Sequence, residues 1–505
     1  MQVQFVPGSL GQMTTRLEPD ALLLLLGPRP PRDVGRWLHD GLRDAVVDGR
    51  LEGGVVLPSS RDVAATLGVS RGTVTATVDV LVGEGLLVSR PRSGVAVAAL
   101  PAPGGRSGPR GAAPAGGPGA RPGTRTGATA RRLPSVGTPD PALFPRGAWA
   151  RAVRDGVRGL ADADLGYPDP QGLPALREAL AVHLRRSRGA HVSASEVVVV
   201  SGVSQALALL ARLLADGAVA SGTRARTAED GRVVVAVEDP SSRGALELLG
   251  DAGLRTAAVP VDADGLRTDL LPDAARAVLV TPAHQFPLGV VLAPARRRHL
   301  LAWAGAGERL VLEDDYDAEL RYDRRPVASV QAMDPERVVL LGSVSKLLAP
   351  ALRLGWVVAP PCVVAPLVEA KRRADLGSSV PEQAALAELL RSGAYQRHLR
   401  RARLVYRRRR EALLDAIGRE LPGAAVGGVA AGLHLVVPLA DVRAERLAVD
   451  GLRAAGVPAE PLTGTGVERR VPGVVVGTAR LREGEVAHVV AVLREALTPS
   501  TKLVR

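Results

Sequence analysis

The stretch LLGSVSKLLAPALRLGW (340–356) decides how this chain is read. An apolar run ends in small residues, a lysine follows at once, and an arginine stands seven positions further on. The chain has 65 basic residues but only three lysines, Lys346, Lys371 and Lys502, so a generic surface charge here would be arginine. A lysine that forms a Schiff base must be partly neutral, which takes a small-residue pocket and nearby positive charge. Lys346 has Ser343 and Ser345 beside it, and Arg353 shares its face if the segment is helical. Ser343 and Arg353 are also the groups a phosphate needs.

The surroundings supply matching pieces. Short apolar runs, EVVVV (196–200), RVVVAVE (232–238), AVLVTP (277–282), RLVLED (309–314) and RVVLLGS (337–343), alternate with amphipathic stretches. Such runs read as buried parallel strands of an α/β domain with a doubly covered sheet. In EVVVVSGVSQALALLARLLA (196–215) a strand, a glycine turn and a helix follow one another, which offers the backbone N–H groups of Val203 and Ser204 to a phosphate. RLVLEDDYDAEL (309–320) puts Asp314 and Tyr316 on one face of an extended segment. A carboxylate there holds a pyridine nitrogen protonated, and a phenol hydrogen-bonds the adjoining ring oxygen. LVTPAHQFPLG (279–289) brings His284 to another strand's C-terminal end, where α/β ligand sites form, and LGYPDPQGLPALREAL (165–180) offers Tyr167 before a turn and a helix. From about 385, long helices and the runs GLHLVVPL and GVVVGTARL predict a smaller α+β lobe.

Composition bounds the rest. At 505 residues with 46% apolar content the chain holds two or more globular domains. Its single Cys362 excludes a disulfide framework and a Cys-based zinc site, and points to a reducing compartment. The run ALLLLL (21–26) is too short to span a membrane and has acidic flanks unlike a signal peptide, so a cytoplasmic protein is expected. Part of the net charge of +13 sits in residues 98–134, which carry six arginines and no acid. That region is dense in Pro, Gly and Ala, lacks apolar periodicity and reads as a flexible linker over 99–137. The arginines fit a solvated linker as well as a DNA-contacting tail.

Before the linker, LPSSRDVAATLGVSRGTVTATVDVLVGEGLLVSRPRSGVAVA (57–98) predicts two capped helices and a hairpin. Ser59 or Ser60 caps the first helix, Gly68 ends it, Ser70 caps the second and Gly85 stops it. With the amphipathic stretch 34–49 upstream, this is a winged helix-turn-helix. The start of its second helix, Ser70, Arg71, Gly72, Thr73 and Thr75, is placed for base edges in the major groove of duplex DNA. Arg61 and the wing residues Arg90 and Arg92 are placed for phosphates or the minor groove.

The segment 34–98 closely resembles the DNA-binding domain of GntR-family repressors, whose signature is similar to LPSSRDVAATLGVSRGTV. Residues from about 138 onward resemble class I aminotransferases of fold type I. The resemblance implies pyridoxal 5′-phosphate (PLP) as cofactor, with Lys346 as its Schiff-base lysine, Ser343 and Arg353 on its phosphate, Asp314 on its ring nitrogen and Tyr316 on its O3′. It also implies that Tyr167 reaches a partner's phosphate, hence a homodimer. A GntR-type head (20–98) joined to such a body (138–505) resembles the MocR/GabR regulators, which implies a transcriptional regulator whose body senses PLP or an amino compound.

Two positions depart from the pattern. Ser242 stands where such proteins commonly have a tyrosine stacked on the cofactor ring, and Val475 where many have a carboxylate-binding arginine. Arg480 is out of register by five, and Arg243 is the other basic residue considered for that charge. Turnover as an aminotransferase, the alternative function, needs both missing features. A third alternative is a DNA-binding protein whose body has lost the cofactor and serves as a dimer scaffold. The visible spectrum with and without PLP separates these readings.

Overall fold

The computed structural model describes residues 16–27, 30, 33–84, 86–90, 94–98, 135–219, 230–322, 327–468 and 470–498. Most of the linker (99–134), Gly85 and Arg92 lie outside the described residues. Contacts divide the chain into two compact units, one within 1–125 and one within 126–505.

The first unit contains α1 (Pro19–Leu26), α2 (Val34–Val47), α3 (Ser60–Leu67), α4 (Arg71–Gly83), and the hairpin β1 (Leu87–Arg90) and β2 (Gly94–Val97). The Ser59 hydroxyl caps α3 by accepting from the Asp62 amide, and Gly68 ends that helix at φ 62°. The Ser70 hydroxyl caps α4 by accepting from the Thr73 amide. With their end groups satisfied, the short helices turn Val63, Leu67, Val74 and Leu81 inward against Leu38 and Leu42 of α2. The ALLLLL run belongs to this unit as α1, with Leu22 in the same core. The architecture is the expected winged helix-turn-helix.

In the second unit the elements run α5 (Arg146–Arg158), α6 (Pro174–Arg188), β3 (Val197–Val200), α7 (Val203–Ala215), β4 (Val234–Asp239), α8 (Arg243–Asp251), β5 (Arg255–Asp262), β6 (Gly265–Leu266), β7 (Ala275–Val280), α9 (Pro294–Ala306), β8 (Leu310–Asp314), β9 (Val338–Ser343) and β10 (Gly355–Val358). Then come α10 (Pro361–Asp375), α11 (Val380–Arg391), α12 (Ala394–Glu420), β11 (His434–Pro438), α13 (Val442–Ala454), β12 (Ala459–Pro461), β13 (Gly473–Gly477) and α14 (Val486–Leu497). The large sheet has the order β3-β10-β9-β8-β7-β4-β5-β6. Side chains alternate across it. Val197 and Val199 face the core beneath α6 and α11, while Val198 and Val200 face the core beneath α7. Burial on both faces is why these strands read as unbroken Val/Leu runs.

The sheet is mixed rather than wholly parallel. β4, β7, β8 and β9 pair in parallel, but β10 pairs antiparallel with both β9 and β3. Only a short connection, 344–354, separates β9 from β10, too short for the crossover that a parallel neighbour requires. The strand GWVV was hidden at the end of the lysine motif, which had been considered as a helix. The smaller lobe is a three-stranded antiparallel sheet, β11-β13-β12, backed by α13, α14 and the end of α12.

The residues at the linker's far end, Ser135–Gly137, lie in the body. Val136 is buried against Val436, Leu462 and Val475. Among the described residues no helix is long and apolar enough to cross a membrane. Replacing Leu210, fully buried in α7, by Ala is expected to cost about 2–5 kcal/mol of body stability. Denaturant unfolding of the full chain checks this, and an unchanged body transition would mean α7 is not packed as described.

Candidate functional site

The parallel strands β4, β7, β8 and β9 end at one edge of the sheet, and the chain passes from β3 to α7 and from Arg353 into β10 at that edge. Outside these carboxyl ends lies a cavity of about 770 Å³ lined by Gly137, Val203, Ser204, Glu238, Ser242, Asp314, Tyr316, Asp317, Ser343, Lys346, Arg353 and Glu460, among others. Topology thus gathers residues from six separate segments into one crevice, as it does in open α/β sheets generally.

Lys346 sits one turn past β9. Burial lowers its pKa, against the charges of Asp317, Asp314 and Glu460, which raise it. The expected pocket therefore exists, but its cause is burial rather than a neighbouring cation. Gly137 lies over the amine so closely that a Cβ there would be 3.0 Å from Nζ.

Asp314 ends β8 at the cavity, partly buried. Its Oδ1 is buried with no hydrogen-bond partner, and burial pushes its pKa up to about 7, helped by the charge of Asp315. A buried carboxylate oxygen without a partner is costly, and it suits a cationic N–H aimed at it from the cavity. Tyr316 follows in a bend rather than an extended strand, yet it also lines the cavity. Burial holds its phenol well above the usual pKa, so the hydroxyl is a proton donor. His284 stands behind it rather than in the cavity lining. Its Nδ1 lies 2.9 Å from Asp317 and 3.0 Å from the Tyr316 hydroxyl. His284 thus fixes the phenol, and the expectation of a direct cofactor contact is corrected to a supporting one.

At the opposite end of the cavity, Gly202 adopts φ 117° before α7, and a Cβ there would lie 3.3 Å from the Arg353 guanidinium. Only glycine fits this position. Arg353 reaches it by a different route from the one expected. The segment after Lys346 is not an α-helix. A short 3₁₀ turn, Pro350–Leu352, leads to Arg353 at φ 49°. A proline two positions ahead of the turn's end and the immediate start of β10 leave no room for two helical turns. Arg353, Ser343 and the unpaired amides at the N-terminus of α7 converge here on one anion-sized space.

The sequence reading missed the buried scaffold. Arg188 forms a two-pronged ion pair with Asp315, 2.7 and 3.0 Å, and anchors the end of β8 to α6. Glu238 lies under the cavity, bonded to Thr281 and Gln285, and burial raises its pKa to about 7. It also missed Glu460 and Arg453, which line the cavity from the smaller lobe. The triplet EDD at 313–315 at the end of an apolar run was the signal for acids at the strand's end, but nothing local marked Glu460. Val475 is fully buried in β13, Ser242 lines the cavity, and Arg480 is exposed and outside it. Tyr167 is 89% exposed and does not line its own chain's cavity.

On the head, Arg61, Ser70, Arg71, Gly72 and Thr75 are exposed and Thr73 is half-buried. The hydroxyls of Ser70 and Thr73 bond each other at 2.8 Å, and Thr75 donates to the Arg71 carbonyl at 3.0 Å. These hydroxyls are already engaged in capping, which leaves Arg71 as the long donor of this helix start. Arg90 closes β1 opposite Gly94.

Fold and site together define a DNA-binding head joined to a body of aminotransferase architecture. Residues 137–492 match the family described as Aminotransferase class I and II, and residues 38–97 match Bacterial regulatory proteins, gntR family. The chain is 33% identical over 492 residues to the HTH-type pyridoxine biosynthesis transcriptional regulator PdxR of Corynebacterium glutamicum, covering 94% of this chain and 99% of that protein. It is 34% identical to the probable rhizopine catabolism regulatory protein MocR of Rhizobium meliloti, covering 76% and 77% respectively. Among solved structures, Pyrococcus horikoshii kynurenine aminotransferase superposes with TM-score 0.65 and 25% identity, over 74% of this chain and 93% of that one. The chain belongs to the MocR-type regulators, gntR-family proteins with a class I and II aminotransferase body, and it is a DNA-binding transcriptional regulator.

Because burial raises Asp314 to about 7, the cofactor-free folded chain keeps a proton there that the unfolded chain releases above about 3.8. Stability from this group is complete at low pH and is lost as pH rises through about 7. Asp314→Asn is expected to remove that loss, so the apo variant gains on wild type between about pH 5 and about pH 8 by a few kcal/mol. Urea unfolding at both pH values checks this, and an equal difference at the two would contradict it.

Proposed function

We propose that this protein is a cytoplasmic, homodimeric regulator that binds operator DNA through its head and uses PLP in its body as the signal it reads. The cofactor is PLP. The observation that carries the reading is the partnerless buried oxygen of Asp314, which shares a cavity with Lys346 and lies across it from the anion-sized space at Arg353. That spacing of cation acceptor, amine and anion site suits a protonated pyridine ring bearing an aldehyde and a phosphate. Bound PLP supplies an electrophilic carbonyl carbon and an electron-accepting ring.

In this reading Lys346 bonds the cofactor covalently. Burial lowers the pKa of its amine, which favours the neutral, nucleophilic form. Asp314 holds the ring nitrogen's proton, Tyr316 donates to the ring oxygen, and His284 with Asp317 keeps the phenol aimed. Ser343, Arg353 and the amides of Val203 and Ser204 bind the phosphate. The exposed Tyr167 supports a partner subunit whose phosphate it reaches, and thus the dimer. The division proposed is a head over 20–98, a linker over 99–137 whose last residues, 135–137, pack into the body, and a body over 138–505.

Support for PLP itself as the signal comes from the missing carboxylate anchor. Val475 is buried in a strand and Arg480 is outside the cavity, so the cofactor's own ligands are better provided for than those of an amino acid. The same absence favours regulation over transaminase turnover. The name of the PdxR relative, which links it to pyridoxine biosynthesis, agrees with control of vitamin B6 supply. Operator affinity of apo and PLP-loaded protein, each with and without a panel of amino acids and amines, tests the choice. An affinity unmoved by PLP but shifted by one amino acid would reverse it.

Lys346→Ala is expected to abolish the near-visible absorption of the loaded protein and the fixation of PLP by borohydride. Recovery of reduced PLP on Lys371 would refute the site. Arg71→Ala is expected to relax specificity at one base position by about 1–3 kcal/mol. Competition binding with single-base operator variants checks it, and a loss uniform across all sequences would assign Arg71 to phosphate instead.

A further inference from the structure

Beside the phosphate and ring subsites, the cavity has a third wall, formed by β12 and the segment 135–138. Glu460 stands on β12 directly opposite Val475 in the antiparallel register. Val475 is fully buried with Val136, Val436 and Leu462, so that strand presents no charge of its own. Glu460 is half-buried and lines the cavity. The Val136 amide donates to its Oε1 at 3.4 Å. The next residue, Gly137, is the one that lies against the Lys346 amine. The carboxylate is therefore held one residue's breadth from the reactive lysine, on the wall that a ligand's other substituent must face.

Among the described residues the cation that feels this charge is Lys346, whose pKa it raises. Glu460 takes part in no ion pair there. Of two arginines at the cavity rim, Arg243 is paired with a glutamate of its own helix, and Arg453 is held by the backbone carbonyl beside Glu460. Arg453 donates through Nε to the Ala459 carbonyl at 2.8 Å, and Arg243 donates to Glu247 at 2.9 Å. Arg353 lies at the far end, against Gly202. An α-amino acid whose amine approaches Lys346 thus meets a carboxylate where it needs a guanidinium. Like charges in a half-buried site repel far more than in water.

We propose that Glu460 is a charge filter on the ligand cavity: it turns away α-amino acids and admits amines, most readily those with a second cationic group. The inference rests on the reading of Lys346 as the cofactor lysine. It explains how a protein that reads PLP keeps the abundant amino acids of a cell from engaging its cofactor. It also names the class of any second ligand as a cationic amine without an adjoining carboxylate.

The test is calorimetric titration of the PLP-loaded full chain with three probes of one shape: L-alanine, ethylamine and propane-1,2-diamine. Near-visible absorption monitors loading in the same samples. Wild type is expected to bind the diamine most tightly, then ethylamine, with alanine weakest. In Glu460→Gln the order should compress, with alanine gaining at least about tenfold, or about 1.4 kcal/mol, and the diamine losing. Glu460→Asp, which keeps the charge, should retain the exclusion. Tight alanine binding by wild type, or an equal gain for alanine and ethylamine in Glu460→Gln, would overturn the filter while leaving the cofactor site intact. A wild type that never develops the PLP band would instead overturn the site reading, and the filter with it.

Discussion

The body is organised around the burial of carboxylates at the end of one strand. Glu313, Asp314 and Asp315 follow one another at the end of β8, Glu313 fully buried and the two aspartates partly so. Three such charges cannot share a low-dielectric interior without separate partners. Asp315 takes Arg188 of α6 in a two-pronged ion pair. Glu313 accepts from the amides of Val330 and Gln331 at 3.0 and 2.9 Å, and burial with the charge of Asp315 still raises its pKa to about 7. Asp314 alone is left with a bare oxygen. The scaffold thus satisfies two of three neighbours and leaves one oxygen of the third without a partner.

Asp314 is also one of the acids that set the charge balance at the lysine. Acids around Lys346 favour its charged form, and burial overrides them. Small residues make the burial possible. Gly137 passes over the amine, and Gly202 lets the Arg353 guanidinium approach the start of α7. The segment carrying Gly137 is where the body meets the linker from the DNA-binding head.

Much of this was legible in the chain. The Val/Leu runs fix strands buried on both faces, since no other element buries every side chain in so few residues. Ser59, Gly68 and Ser70 mark helix ends because caps and left-handed turns need those residue types. The rarity of lysine, and the small residues around Lys346, singled it out. Local chemistry also singled out Asp314, Tyr316, Ser343 and Arg353, which line one cavity with Lys346.

What local chemistry could not supply was anything set by neighbours distant in sequence. The antiparallel insertion of β10 follows from a connection too short for a crossover, and it carries Arg353 to its place by a left-handed turn rather than along a helix. The supporting role of His284 depends on its distance to Tyr316 and Asp317, three dozen residues or fewer away in sequence but fixed only by the sheet. Glu460 carried no signal at all, since a lone glutamate on a short strand is ordinary until the register with Val475 and the amide of Val136 turn it toward Lys346. The sequence by itself determined the two kinds of domain and the polar groups that a cofactor requires. The tertiary structure decided which of those groups face the cavity, which stand behind them, and which charge guards the open wall, because burial and strand register are properties of the packed chain and not of any one segment.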